Sequence, residues 1–169
     1  MSTLVVHESM WGNTRQVAEA IAGRLGDDVT VVAVDEAPAS LPSEVDLLVV
    51  GGPTHAFSMS RASTRDDAVT KGAASGHAVS GIREWLGGLP PSDHIDVATF
   101  DTRVGSVRHL PGSAAKAAAH QVRRHHLGHL VGTESFYVAD MAGPLLDGEL
   151  RRASAWGHSL TEHPSELSR

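Results

Sequence analysis

Five short apolar runs, each stopping at a glycine or a polar turn, constrain most strongly what this chain can fold into. They occupy residues 4–7, 29–34, 47–50, 95–100 and 130–138. Runs of this length, rich in Val, Leu and Ile and without a polar face, suit strands of a parallel sheet with both faces covered. Helical stretches lie between them. Residues 13–25 carry Val17, Ile21 and Leu25 at i, i+4 and i+8, one face of a helix. Residues 78–86, 113–126 and 147–160 read as further helices, and a short one fits within 64–73. The rest of residues 53–76 reads as irregular, and the last strand as interrupted near Glu134 and Ser135. The resulting β-α-β-β-α-β-α-β-α order predicts an α/β fold with five parallel strands in the order 2-1-3-4-5. One domain is expected over residues 1–162, followed by a polar tail over 163–169.

Composition narrows the chemistry. The chain has no cysteine, which excludes disulfides, thiolate nucleophiles, iron–sulfur clusters and cysteine zinc sites. Redox chemistry would therefore need a borrowed cofactor. A formal charge of −6 argues against a nucleic-acid partner. No apolar run reaches the roughly 18–20 residues of a membrane span. The start, Met1-Ser2-Thr3, offers no basic leader, so a cytoplasmic location is expected. Eleven histidines raise the question of a metal. His125 and His126 are neighbours and point about 100° apart on a helix. With His120, His129, Arg123 and Arg124 they suit the negative end of a helix dipole, and no metal site is expected. Ser58, Ser60 and Ser63 lack the Gly-x-Ser-x-Gly turn of a serine hydrolase. Arg61 and Arg65 offer charge to an anion, but a solvated loop is the simpler expectation.

In a 2-1-3-4-5 sheet, ligands sit at the carboxyl ends of the strands, beside the switch point between the first and third. Three segments lie there. Ser9-Met10-Trp11-Gly12-Asn13-Thr14 places hydroxyls, an amide and a glycine at a helix start, where free N–H groups and the dipole favour an anion. It is neither a P-loop nor Gly-x-Gly-x-x-Gly, and an ordinary N-cap by Ser or Asn accounts for part of it. Gly51-Gly52-Pro53-Thr54-His55-Ala56-Phe57-Ser58 follows the third strand, and Asp101-Thr102-Arg103-Val104-Gly105 the fourth.

Ser-Met-Trp-Gly-Asn-Thr resembles the phosphate loop of flavodoxins, Thr/Ser-x-Thr-Gly-x-Thr. The other two segments resemble the loops that flank the flavin in bacterial flavodoxin-domain proteins. The likeness runs on through Gly143-Pro144-Leu145 and the last helix. It implies a flavodoxin-like three-layer sandwich that binds flavin mononucleotide (FMN). By position, Ser9, Trp11, Gly12, Asn13 and Thr14 would hold the phosphate. Pro53, Thr54, His55 and Phe57 would border the isoalloxazine on one side, and Asp101, Thr102, Arg103 and Gly105 on the other. Trp11 replaces a small hydroxyl residue, and no tyrosine stands in the third segment. The implied function is electron transfer, with a redox partner protein or a small-molecule acceptor; an electron carrier is favoured over an autonomous oxidoreductase. The alternatives are a flavin-free interaction module and a small NAD(P)H-dependent quinone reductase. No catalytic residue is assigned, though His55 is the best candidate for an acid or base. No glycine lies between Thr54 and Lys71, so left-handed backbone in that loop is expected to cost on the order of 1 kcal/mol.

Overall fold

The computed structural model describes residues 1–74 and 80–162. In chain order the elements are β1 (Ser2–His7), α1 (Asn13–Ala22), β2 (Val29–Ala33), β3 (Val45–His55), β4 (Ser58–Met59), α2 (Ala62–Thr70), α3 (Ile82–Gly88), β5 (Asp96–Val104), α4 (Ala114–Arg124), β6 (His129–Val138) and α5 (Glu149–Thr161). The sheet runs β2-β1-β3-β5-β6 with every neighbour parallel. Counted over these five strands, that is the 2-1-3-4-5 order. The two-residue β4 folds back antiparallel on the end of β3.

Side chains alternate across a strand, and the core divides accordingly. Leu4, Val6, Leu48 and Val50 pack with Ile82 and Leu86 of α3 and Val122 of α4. Val5, Leu47, Val49 and Phe100 pack with Val17 and Ile21 of α1 and Ala153 of α5. The two helices on this second face meet closely. A Cβ on Gly157 of α5 would lie 2.5 Å from the carbonyl oxygen of Ile21.

Two strands are longer than their sequence signals. Gly51-Gly52-Pro53 reads as a stop, yet β3 continues through it to His55. Here the glycines serve close packing. A Cβ on Gly51 would lie 2.3 Å from the Phe100 ring, and one on Gly52 3.1 Å from Ile82. Likewise β5 continues past Phe100 to Val104, with Pro53 opposite Thr102 in the ladder. The segments read as second and third loops are therefore largely strand ends.

Other boundaries shift less. α1 ends at Ala22, ahead of Gly23, while Leu25 stays buried in the following turn. β6 is unbroken at Glu134 and Ser135; its irregularity is one extra residue, Val131, opposite the Val97–Ala98 step. A helix fills residues 62–70 of the stretch read as mostly irregular, and α3 begins at Ile82. The expected first turn of that helix at 78–79 and the tail at 163–169 lie outside the described residues. Among the described residues no helix is long and apolar enough to cross a membrane, and no three His, Asp or Glu side chains cluster to hold a metal.

Candidate functional site

A cavity of about 310 Å³ opens at the carboxyl ends of β1, β3 and β5. Nine residues singled out from the sequence line it: Ser9, Trp11, Asn13, Thr14, Pro53, Thr54, His55, Thr102 and Arg103. The fold adds Met10, Ala56, Val104, Val138 and Met141, and a wall made of Thr64, Asp67 and Ala68 of α2 and Lys71 at its C-cap.

The first turn of α1 forms one end. Gly12 sits at its N-cap in the left-handed region, with φ 94°, and no side chain caps the turn. No acidic residue offsets its positive dipole end either. A Cβ at Gly12 would meet nothing within 4 Å, so the backbone angle rather than crowding within the chain calls for glycine. The Gly12 N–H donates to Ser9 Oγ at 3.0 Å. Thr14 Oγ1 lies 2.8 Å from Thr102 Oγ1. One of that pair donates to the other, which leaves the second hydroxyl proton free to donate elsewhere. The Asn13 side chain lies against Gly143, where a Cβ would come within 2.6 Å of its Oδ1.

Trp11 does not fill the cavity. Its ring is half-buried and packs with Met10, Ala68, Val69 and Ala73, tying this turn to α2. Arg103, at the end of β5, is 5% exposed. Its Nη2 donates to the carbonyls of Val107 at 3.0 Å and Leu110 at 3.2 Å. Its Nε is buried with no partner among the described residues.

Four residues singled out earlier stand away from the cavity lining. Gly12 shapes the turn from behind. Asp101 points to the opposite face of β5 from Thr102, as strand alternation requires. It is fully buried, and its Oδ2 accepts from Ala115 N–H at 2.9 Å, an N-cap-like contact at the start of α4. Burial pushes its carboxyl above the ordinary range despite that bond. Phe57 is 46% exposed at the tip of the β3–β4 hairpin, beside Gly112. Gly105 belongs to a separate open groove with Ser106, Arg108, His109, Val138, Ala139 and Leu146.

The hairpin tip holds a feature that the sequence argues against. Ala56 has φ 49° and Phe57 φ 62°, both left-handed, between the paired residues His55 and Ser58. A two-residue hairpin with both central residues at positive φ is a type I′ turn, usually built from Asn and Gly.

Beneath the cavity a buried polar network links the strand ends to the helices. Glu8 accepts from Ser60 Oγ at 2.5 Å and from the Ile82 N–H at 2.9 Å. Arg65 donates to Ser60 Oγ at 2.9 Å and to Glu84 at 2.8 Å. Arg65 is 2% exposed, so it is no solvated loop residue. Burial raises the Glu8 pKa, opposed by these bonds and the Arg65 charge. Gly81 leaves room for the network, since a Cβ there would lie 2.4 Å from Arg65 Nη1.

The flavodoxin domain family matches residues 4–65. No curated protein matches the chain in sequence. Solved structures match over nearly all of it. A flavodoxin from the domain Archaea superposes with a TM-score of 0.61 at 18% identity, covering 96% of this chain and 97% of that one. The flavodoxin of Streptococcus pneumonia TIGR4 gives 0.62 at 15%, covering 96% and 99%. A Fusobacterium nucleatum flavodoxin bound to flavin mononucleotide gives 0.59 at 14%, covering 98% and 100%. These superpositions over nearly the whole chain give it a flavodoxin-like fold.

Proposed function

We propose that the chain is a cytoplasmic electron carrier that binds FMN in this cavity. One observation carries the reading: the uncapped first turn of α1 and the Ser9 and Thr14–Thr102 hydroxyls converge on a single cavity, with Arg103 in its wall. A phosphate monoester needs N–H and O–H donors in a positive field, and these groups supply both. Beyond them, Pro53, Thr54, Ala56, Val104 and Val138 offer a mixed, largely apolar lining, which suits a flat heteroaromatic ring. The residues present therefore fit the cofactor. The Fusobacterium relative, solved with flavin mononucleotide, supports the same choice.

When bound, a flavin supplies the redox chemistry. The chain's own residues bind and orient. The α1 turn holds the anionic end, Arg103, anchored by the Val107 and Leu110 carbonyls, adds positive charge in the wall, and α2 with Trp11 covers the cavity on one side. A redox partner protein or a small acceptor completes the exchange. Absorbance of the purified protein, followed by calorimetry with FMN and riboflavin, tests the reading. A yellow protein is expected, with riboflavin at least about tenfold weaker for want of a charge-assisted contact. Equal affinities would remove the phosphate role of the α1 turn. A colourless protein that takes up no FMN would favour a flavin-free interaction module.

The groove beside the cavity supports a second reading. It measures about 340 Å³, shares Val138 with the cavity, and carries exposed Arg108 and His109. An anionic dinucleotide donor could use it, as in a quinone reductase. Steady-state NADPH oxidation with a quinone acceptor separates an enzyme from a carrier.

A further inference from the structure

His55 ends β3 and lines the cavity. Its Nδ1 lies 3.0 Å from Thr64 Oγ1 on α2. That oxygen has two other contacts. The Arg61 N–H donates to it at 2.9 Å, and the Arg61 carbonyl oxygen lies 3.0 Å away. A hydroxyl has one proton and two lone pairs. The Arg61 N–H takes one lone pair. If the proton went to His55, two lone-pair-bearing oxygens would face each other at 3.0 Å with no hydrogen between them. If it goes to the Arg61 carbonyl, the second lone pair accepts Nδ1–H, and all three contacts are satisfied. Only the second arrangement balances. It fixes the ring as the Nδ1–H tautomer, and Nε2 has no partner among the described residues.

Burial, with Arg65 as the second cause, holds the His55 pKa below the ordinary imidazole value. The other charged groups at the cavity are Asp67 on α2, Lys71 at its C-cap and Arg103 on β5, while the Arg65 charge is engaged by Glu84. A neutral ring with a fixed tautomer is a one-way contact, because it can only accept.

We propose that His55 is a specificity-determining acceptor. Held by Thr64, it presents a bare Nε2 to an N–H or O–H donor of the bound molecule, beyond the anion-binding turn. This deepens the FMN reading and rests on it for the identity of the ligand. A ligand with an acceptor in that position would meet lone pair against lone pair and be rejected.

The test is ring ¹⁵N–¹H NMR on histidine-labelled protein, with and without FMN. Nδ1 is expected protonated and Nε2 bare in the free protein, and the Nε2 signal should move when FMN binds. Thr64→Val should release the tautomer and weaken FMN about 3- to 10-fold, whereas Thr64→Ser should restore both. A protonated Nε2 in the free wild-type protein overturns the proposal. So does an Nε2 signal indifferent to FMN while FMN binds, which leaves the FMN reading intact. If the wild type takes up no FMN, the FMN reading and the ligand half of this proposal fall together. The tautomer is still decided on the free protein, and the wild-type spectra suffice if Thr64→Val does not fold.

Discussion

At the scale of single residues, Thr14 and Thr102 share one hydrogen bond across two elements. Thr14→Val should weaken FMN by about 1–3 kcal/mol through loss of a charge-assisted donor, measured by calorimetry. An unchanged affinity would mean that the phosphate sits elsewhere. Ala56 makes the opposite kind of prediction. Its left-handed backbone costs about 1–2 kcal/mol for a residue with a Cβ, so Ala56→Gly should raise stability by roughly 0.5–1.5 kcal/mol after the added freedom of the unfolded chain is subtracted. Denaturant unfolding checks it. The sequence could not reveal this, because the chain between Thr54 and Lys71 has no glycine to announce a left-handed turn. Asp101 eluded the sequence for another reason. Its neighbour Thr102 reaches the cavity, but reading Asp101-Thr102-Arg103 as a loop hid the alternation that turns Asp101 toward α4.

At the scale of elements, the Glu8–Ser60–Arg65–Glu84 network joins β1, α2 and α3. Because burial raises the Glu8 pKa, folded Glu8 keeps its proton to higher pH than the unfolded chain does. Stability from this group is full below the ordinary carboxyl value and falls as pH rises through the raised one. Partial burial pushes Glu84 and Glu149 upward too, but hydrogen bonds from Arg65 and Arg152 leave both lowered. Their contributions are lost as pH falls, in the opposite sense. Unfolding of wild type against Glu8→Gln over that range should therefore show the variant free of the decline on the alkaline side; parallel curves would contradict it. The α1–α5 contact gives a second check. Gly157→Ala improves helix propensity by about 1 kcal/mol, yet its Cβ would lie 2.5 Å from the Ile21 carbonyl. Net destabilisation is expected. The sequence showed α5 but not this contact. It showed α2 even less, because Ala-Ser-Thr-Arg-Asp-Asp-Ala-Val-Thr carries no apolar stripe, and its buried face is made by Arg65 and Ala68.

For the whole molecule, five apolar runs and their connections were enough to predict the strand order, because a parallel sheet leaves few alternatives. The cavity's position at the switch point followed from the same topology. Its walls did not, because β3 and β5 run on into segments that composition marks as turns. FMN at about a hundred times its dissociation constant should add about 2.7 kcal/mol, a rise in Tm of roughly 5–10 °C for a chain of this size. Riboflavin at the same concentration should give much less. The same architecture sets how a guest enters and leaves. Two sides of the cavity are strand ends continuous with the sheet, anchored in the main cores. The α2 side rests on the small separate cluster of Met10, Trp11, Ala68, Val69 and Ala73, with Arg65 as its main polar tie. Local opening follows the weakest packing, so α2 is the expected side of entry. If FMN binds as proposed, its residence time should lengthen or shorten with the packing of Trp11 and its neighbours, which a stopped-flow release measurement on a Trp11→Ala variant checks.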